Sequence, residues 1–100
     1  MIDITVRPAY AGGISNVLHA FNLARTRVSV SGMMTLLEKL DYTYPYHQSI
    51  GFYLTRAGYH PDEQALAAKS KIEFDFYLGH RLKNPAFDSR WRTFFPQDLK

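Results

Sequence analysis

One hundred residues suffice for a single small domain, because folded domains typically contain about 100–150 residues. The hydrophobic fraction of 46% and the aromatic fraction of 15% exclude an intrinsically disordered chain, since each buried aromatic removes ~150–250 Å² from water. The absence of cysteine excludes disulfides, thiolate metal sites and cysteine nucleophiles. No apolar run approaches the ~20 residues of a membrane span, and the first eight residues lack a signal-peptide pattern. We expect one cytoplasmic domain over residues 1–100, with no membrane association.

The charge is mildly basic, with a formal net charge of +3 at pH 7. Basic side chains are densest between residues 81 and 92, where a single acidic residue, Asp88, opposes them: Arg81, Lys83, Arg90 and Arg92. Proteins dedicated to nucleic acid concentrate Lys and Arg on one face or stripe. This stretch favours an ordinary solvated surface and leaves nucleic-acid contact by these four residues as an alternative.

The first predicted helix follows a pair of glycines. Residues 2–7 are ambiguous, because apolar side chains alternate there as in a strand, while the segment is short and ends at Pro8. Gly12 and Gly13 supply the backbone freedom for a tight turn into a helix. Apolar residues then follow at the spacing of one helical face: Ile14, Val17, Leu18 and Phe21. The pattern predicts a helix over about 13–25.

Three further helices are predicted over about 31–41, 45–57 and 61–68. They are delimited by residue types that favour helix ends: Ser31, Pro45, Gly58, Pro61, Asp62 and Glu63. On the helix predicted over 45–57, Gly51 and Ala57 are small enough to allow another element to approach closely.

The C-terminal third has the pattern of strands. Residues 71–78 alternate apolar with polar or tyrosine side chains, which predicts a strand with one buried face formed by Ile72, Phe74, Phe76 and Leu78. Residues 90–95 form a second candidate strand, and residues 79–89 are expected to be a loop. Trp91 is expected to be buried opposite the aromatic face of the first strand. The predicted fold is α+β: three to four helices followed by a C-terminal two-stranded β-hairpin packed on them.

Three stretches of the chain resemble one protein family. The run Asp3-Ile4-Thr5-Val6-Arg7-Pro8-Ala9-Tyr10-Ala11-Gly12-Gly13 resembles the D-x-x-x-R-P-x-Y-x-G-G signature of AbiEi-like antitoxins. Residues 40–54, which include Tyr44-Pro45-Tyr46-His47-Gln48, are similar to the same family. So are Phe74-Asp75-Phe76-Tyr77-Leu78 and Trp91-Arg92. The resemblance spans about residues 3–99.

The resemblance implies a non-catalytic function. AbiEi-like proteins are antitoxins and transcriptional autoregulators of type IV toxin–antitoxin systems, which mediate abortive infection in bacteria. They carry an N-terminal winged helix and a C-terminal domain required for antitoxin action. This chain resembles only the distal part of that C-terminal domain, so DNA binding by a winged helix does not transfer to it. The implied functional partner is a nucleotidyltransferase-type toxin, counteracted without a stable complex, and no cofactor is implied.

The most unusual cluster precedes and opens the third long helix. Tyr46 shares a helical face with Ile50 and is expected inside, so its two successors should lie towards the flank or the solvent. This predicts an interaction surface formed by Tyr42, Tyr44, His47 and Gln48. The alternative is a helix entry whose tyrosines pack on the C-terminal strands while His47 makes an internal hydrogen bond.

The sequence contains no catalytic constellation. Its four histidines lack metal-ligand spacing, and its serines lack a nucleophile elbow. Glu73 and Asp75 would share one face of a strand, where Lys71 or Arg92 could complete a divalent-metal site. A metal-dependent nuclease-like domain is therefore the less favoured alternative. We predict that the chain is not an enzyme and binds no metal.

Overall fold

Helices occupy the first two thirds of the chain and a small sheet follows them. The computed structural model describes residues 1–8, 12–40, 45–69, 72–79, 82 and 84–99. The described helices are α1 (Ile2–Val6), α2 (Ile14–Ala24), α3 (Val30–Leu40), α4 (Tyr46–Arg56) and α5 (Pro61–Ala67). The longest of them have 11 residues, about half of what a helix needs to cross a bilayer.

The ambiguous N-terminal segment is helical. In α1, the Thr5 hydroxyl donates to the carbonyl of Met1 at 2.9 Å, and the main-chain N–H of Arg7 donates to the carbonyl of Asp3 at 3.0 Å. The chain then turns into α2 at two glycines with φ of +90° and +123°, values that L side chains rarely adopt. The predicted role of Gly12 and Gly13 is thus confirmed.

The other helix ends follow local chemistry. Helix α3 begins one residue before the predicted Ser31, and the hydroxyl of Ser29 accepts from the N–H of Gly32 at 3.1 Å. Helix α4 ends in a Schellman motif at Gly58, whose φ is +75°. Helix α5 opens with a capping box in which the main-chain N–H of His60 donates to the Glu63 carboxylate at 3.2 Å.

Helix α4 is the centre of the fold. Seven consecutive residues, 48–54, are buried, so the helix is covered on all sides rather than along one stripe. It packs against α1, α2, α3, α5 and the last strand. Tyr53 stacks on Phe21 of α2 with ring centroids 5.1 Å apart, and the Tyr59 hydroxyl donates to the carbonyl of Phe21 at 2.9 Å. The helical core therefore forms around α4, although the sequence of this helix contains several polar residues.

The C-terminal sheet confirms the α+β class and adds a third strand. The strands are β1 (Phe76–Tyr77), β2 (Ala86–Asp88) and β3 (Thr93–Phe95), in the spatial order β1-β3-β2. β3 pairs antiparallel with β2 and parallel with β1, so the pair predicted as a hairpin is a crossover. β2 lies in the segment that was expected to be a loop. The chain reverses direction between β1 and β2 and again between β2 and β3, so β3 runs in the same direction as β1.

The expected buried face of the first strand is only partly present. Leu78 is buried and Ile72 and Phe76 are half-buried, but Phe74 is 67% exposed. Only residues 76 and 77 lie in the strand ladder, and Phe74 precedes them in a bend. The alternation of side chains holds only where the backbone is extended, so the prediction for Phe74 was wrong.

Candidate functional site

The structure describes four of the eight predicted site residues. His47 is half-buried, Gln48 is fully buried, Arg90 is exposed and Arg92 is half-buried. The remaining four lie outside the described residues: Tyr42, Tyr44, Arg81 and Lys83.

Gln48 is not the surface residue that the helical geometry predicted. Its side chain is 0% exposed, and its Nε2 donates to the carbonyls of Phe74 and Trp91, both at 2.8 Å. A buried carbonyl without a partner is costly, so these two main-chain acceptors draw the glutamine inwards. The expected position of Gln48 on the flank or surface of the helix is therefore wrong. The side chain ties α4 to the segment before β1 and to the turn before β3.

Trp91 lies at the same place and is 0% exposed, as predicted. It packs against α4 rather than opposite residues 72–78, because α4 offers a groove at Gly51. A Cβ on Gly51 would overlap the six-membered part of the indole, so the close approach predicted for this glycine is confirmed. The indole Nε1 donates to the Thr55 hydroxyl at 2.9 Å. We call this arrangement of Gln48, Gly51, Thr55, Phe74 and Trp91 the Trp91 joint.

Two polar atoms of α4 are buried without a hydrogen-bond partner among the described residues: Oε1 of Gln48 and the hydroxyl of Tyr53. Burial raises the pKa of Tyr53 far above that of a free tyrosine, because the phenolate would be cut off from water. Both atoms are shielded from solvent. They indicate local destabilisation of α4 rather than acid–base chemistry.

The two described arginines of the basic stretch have different partners. Arg90 donates to the Gln64 side chain at 2.7 Å, and its guanidinium lies 4.8 Å from the centroid of the Trp91 ring. Both partners are neutral, and no carboxylate of the described residues pairs with its guanidinium. Arg92 pairs with Asp75 at 2.9 Å and also donates to the carbonyl of Glu73 at 2.7 Å.

The contacts of Arg92 bear on the nuclease alternative. Asp75 and Glu73 lie before β1 and not within it, so they do not share a strand face as expected. The Asp75 carboxylate is paired with Arg92 at 2.9 Å. Among the described residues, no group of three or more histidine or acidic side chains could hold a metal ion.

An exposed line of aromatic rings crosses the sheet, and we call Tyr77, Phe94 and Phe87 the aromatic row. Phe94 is directly opposite both Tyr77 of β1 and Phe87 of β2 in the strand register. The ring centroids of Tyr77 and Phe94 are 4.4 Å apart, and those of Phe87 and Phe94 are 4.7 Å apart. Tyr77 is 58% exposed and Phe87 is 44% exposed.

Sequence reasoning missed the aromatic row because it assigned Phe87 to a loop. The available signal was local: Ala86, Phe87 and Asp88 are a short extended segment directly after the turn at Asn84 and Pro85. A strand of three residues is too short for periodicity to identify.

Two clefts of about 370 Å³ each lie away from the sheet. One is largely apolar and lies between α1 and α3. The other is lined by Ser15, His19, Asn22 and Asp98. Within the described part of the chain no hydrogen bond joins this serine, histidine and aspartate, so they do not form a nucleophile relay.

The geometry thus separates a buried joint, where residues of the sequence motifs meet, from an exposed aromatic row on the sheet. The joint is a structural element, while the row and the adjacent arginines are the accessible candidates for binding. No family model, curated protein or solved structure matches this chain.

Proposed function

We propose that this chain is a non-catalytic antitoxin and regulatory module of a type IV toxin–antitoxin system. The observation that carries the proposal is the meeting of the second and third stretches of the AbiEi-like resemblance. Gln48 of the second stretch bonds to Phe74 and to Trp91 of the third, across 26 and 43 residues of sequence.

The joint also explains why these residue types occur where they do. Position 51 requires glycine because the Trp91 ring lies against it, and position 48 requires a long side chain with an N–H donor. Tyr46 of the same stretch meets Phe76 edge to face, with centroids 5.6 Å apart. The motifs therefore describe a scaffold, and a partner would contact what the scaffold leaves accessible. In the second stretch the half-buried His47 meets that condition.

The proposal is tested by growth rescue. This chain is co-expressed with a nucleotidyltransferase toxin of a type IV system, and colony formation is compared with toxin alone. We expect rescue by the wild type, weaker rescue by His47→Ala, and full rescue by the matched control His19→Ala, which changes an exposed histidine of α2. Absence of rescue by the folded wild-type chain contradicts the proposal.

A second candidate function is association with nucleic acid. The observation that favours it is that Arg90 and Arg92 both lie in the short turn that joins β2 to β3. Binding to duplex DNA is measured as salt is raised, because affinity that depends on phosphate contacts falls steeply with salt. We expect Arg90→Ala to weaken binding and Arg27→Ala, another exposed arginine in the turn after α2, to leave it unchanged.

A further inference from the structure

We propose that the aromatic row is a binding site for single-stranded nucleic acid, with bases stacked on Tyr77 and Phe87 and a phosphate held by Arg92. The proposal rests on the second candidate function and specifies its ligand. It goes beyond the charge argument, because it assigns base contacts to side chains that carry no charge.

The geometry of the sheet provides the stacking surface. Residues directly opposite one another on neighbouring strands project to the same face, so the three rings form one line across β1, β3 and β2. Thr93 and Phe95, on either side of Phe94, face inwards: Thr93 is buried, and Phe95 meets Phe52 of α4 with centroids 4.9 Å apart. The row therefore lies on the face turned away from α4. Exposed aromatic rings on a sheet are a recurrent platform for unstacked bases.

Charge complementarity favours a polyanion as the occupant. The chain carries a formal net charge of +3, and Arg90 and Arg92 lie in the turn between the strands that bear Phe87 and Phe94. Arg90 is directed to the helix side of the sheet, where it donates to Gln64 of α5 and lies over the Trp91 ring, so Arg92 is the arginine beside the row. Arg92 is paired with Asp75, but both side chains are more than 40% exposed, at 42% and 44%. Such a pair is screened by salt and exchanges readily for a stronger anion.

The size of the row argues against a second copy of the chain. An aromatic side chain buries ~150–250 Å², so three half-exposed rings offer a few hundred Å² at most. A stable protein interface needs about 800 Å² from each partner. A short run of nucleotides fits this smaller area, because each base stacks on a single ring.

The test measures fluorescence anisotropy with two probes, a fluorescein-labelled ten-nucleotide oligothymidylate and a duplex of the same length. We expect the single strand to bind more tightly than the duplex at low salt. Tyr77→Ala and Phe87→Ala should each weaken binding of the single strand by roughly 5- to 150-fold, the range of one lost stacking contact. Tyr77→Trp should retain binding, and Leu23→Ala, a 67% exposed side chain on α2, should have wild-type affinity.

Salt dependence tests the phosphate contacts. Arg92→Ala should reduce the slope of log affinity against log salt by about 0.7, the value for one phosphate of a single strand. Equal affinity for both probes, or wild-type affinity of Tyr77→Ala, overturns the stacking site while leaving nucleic-acid association intact. Absence of binding to either probe overturns both and indicates a protein as the ligand of the row. Circular dichroism of each variant establishes that it is folded.

Discussion

The Trp91 joint and the aromatic row are built from the same part of the chain but differ in exposure. In both, aromatic side chains of β3 or the turn before it meet residues from other elements. Trp91 is 0% exposed because α4 covers it, whereas Phe87 remains 44% exposed because no described element covers the row. The difference teaches that aromatic content alone does not identify a core. The decisive property is which face of the sheet the central helix occupies.

The two groups also differ in how their polar atoms are satisfied. In the joint, the carbonyl of Trp91 accepts from Gln48 at 2.8 Å and from the Thr93 hydroxyl at 2.9 Å, while the indole N–H reaches Thr55. The row has ring contacts but no comparable network among the described residues. We therefore expect changes in the joint to reduce the free energy of unfolding and changes in the row to affect binding.

The largest effect is expected for Trp91→Ala. Truncation of a buried aromatic side chain typically costs ~3–5 kcal/mol, a large part of the ~5–15 kcal/mol stability of a small domain. Urea denaturation followed by circular dichroism measures the loss. A midpoint equal to that of the wild type would show that the indole is not part of the core.

Gln48→Ala should be the next most damaging change. It leaves the partly buried carbonyl of Phe74 without its donor and removes one of two donors from the carbonyl of Trp91, at a cost of about 1–3 kcal/mol. His47→Ala, at a half-buried neighbour, should cost less than about 1 kcal/mol. The comparison of these adjacent residues by urea denaturation distinguishes the joint from the helix flank. Equal losses would contradict the proposed role of Gln48.

Changes in the aromatic row should have small effects on stability. Tyr77→Ala removes one cross-strand ring pair, which is worth roughly 0.2–1 kcal/mol. The thermal midpoint should fall by no more than a few degrees, while the affinity for single strands falls strongly. A loss of stability as large as that of Trp91→Ala would place Tyr77 in the core and remove the contrast between the two regions.

Tyr53→Phe should have the smallest effect at neutral pH and a distinct effect in alkali. The Tyr53 hydroxyl is buried without a partner in the described chain, so its removal should leave stability unchanged or raise it by up to about 1 kcal/mol. Burial raises the pKa of Tyr53 in the folded state. The free energy of unfolding is therefore unaffected by ionisation of this group below pH ~10 and falls as the pH rises further, because the unfolded chain loses the proton first. Urea denaturation between pH 8 and 11.5 should therefore show a shallower alkaline loss for the variant. Identical pH profiles would indicate that Tyr53 ionises freely in the folded protein.

The helices could be predicted from the sequence because their signals are local. Residue spacing located α2, α3, α4 and α5, and the positive-φ glycines at 12, 13 and 58 marked turns that few other residues tolerate. The burial of Trp91 followed equally from its size and apolar character. The fold class could be predicted for the same reason, because it follows from the order of the local patterns along the chain, which is several helices and then an alternating segment.

The tertiary structure alone decided the site. Gln48 is polar and opens a helix, so local rules placed it at the surface; only two carbonyls from segments 26 and 43 residues away explain its burial. The parallel pairing of β1 with β3 and the third strand likewise depend on non-local hydrogen bonds, which leave no periodicity in strands of two and three residues. Phe87 and Phe94 belong to an exposed row whereas Trp91 is buried, because α4 packs on one face of the C-terminal sheet and no described element covers the other. Local periodicity records which side chains share a face, but the identity of the covered face is set by long-range packing.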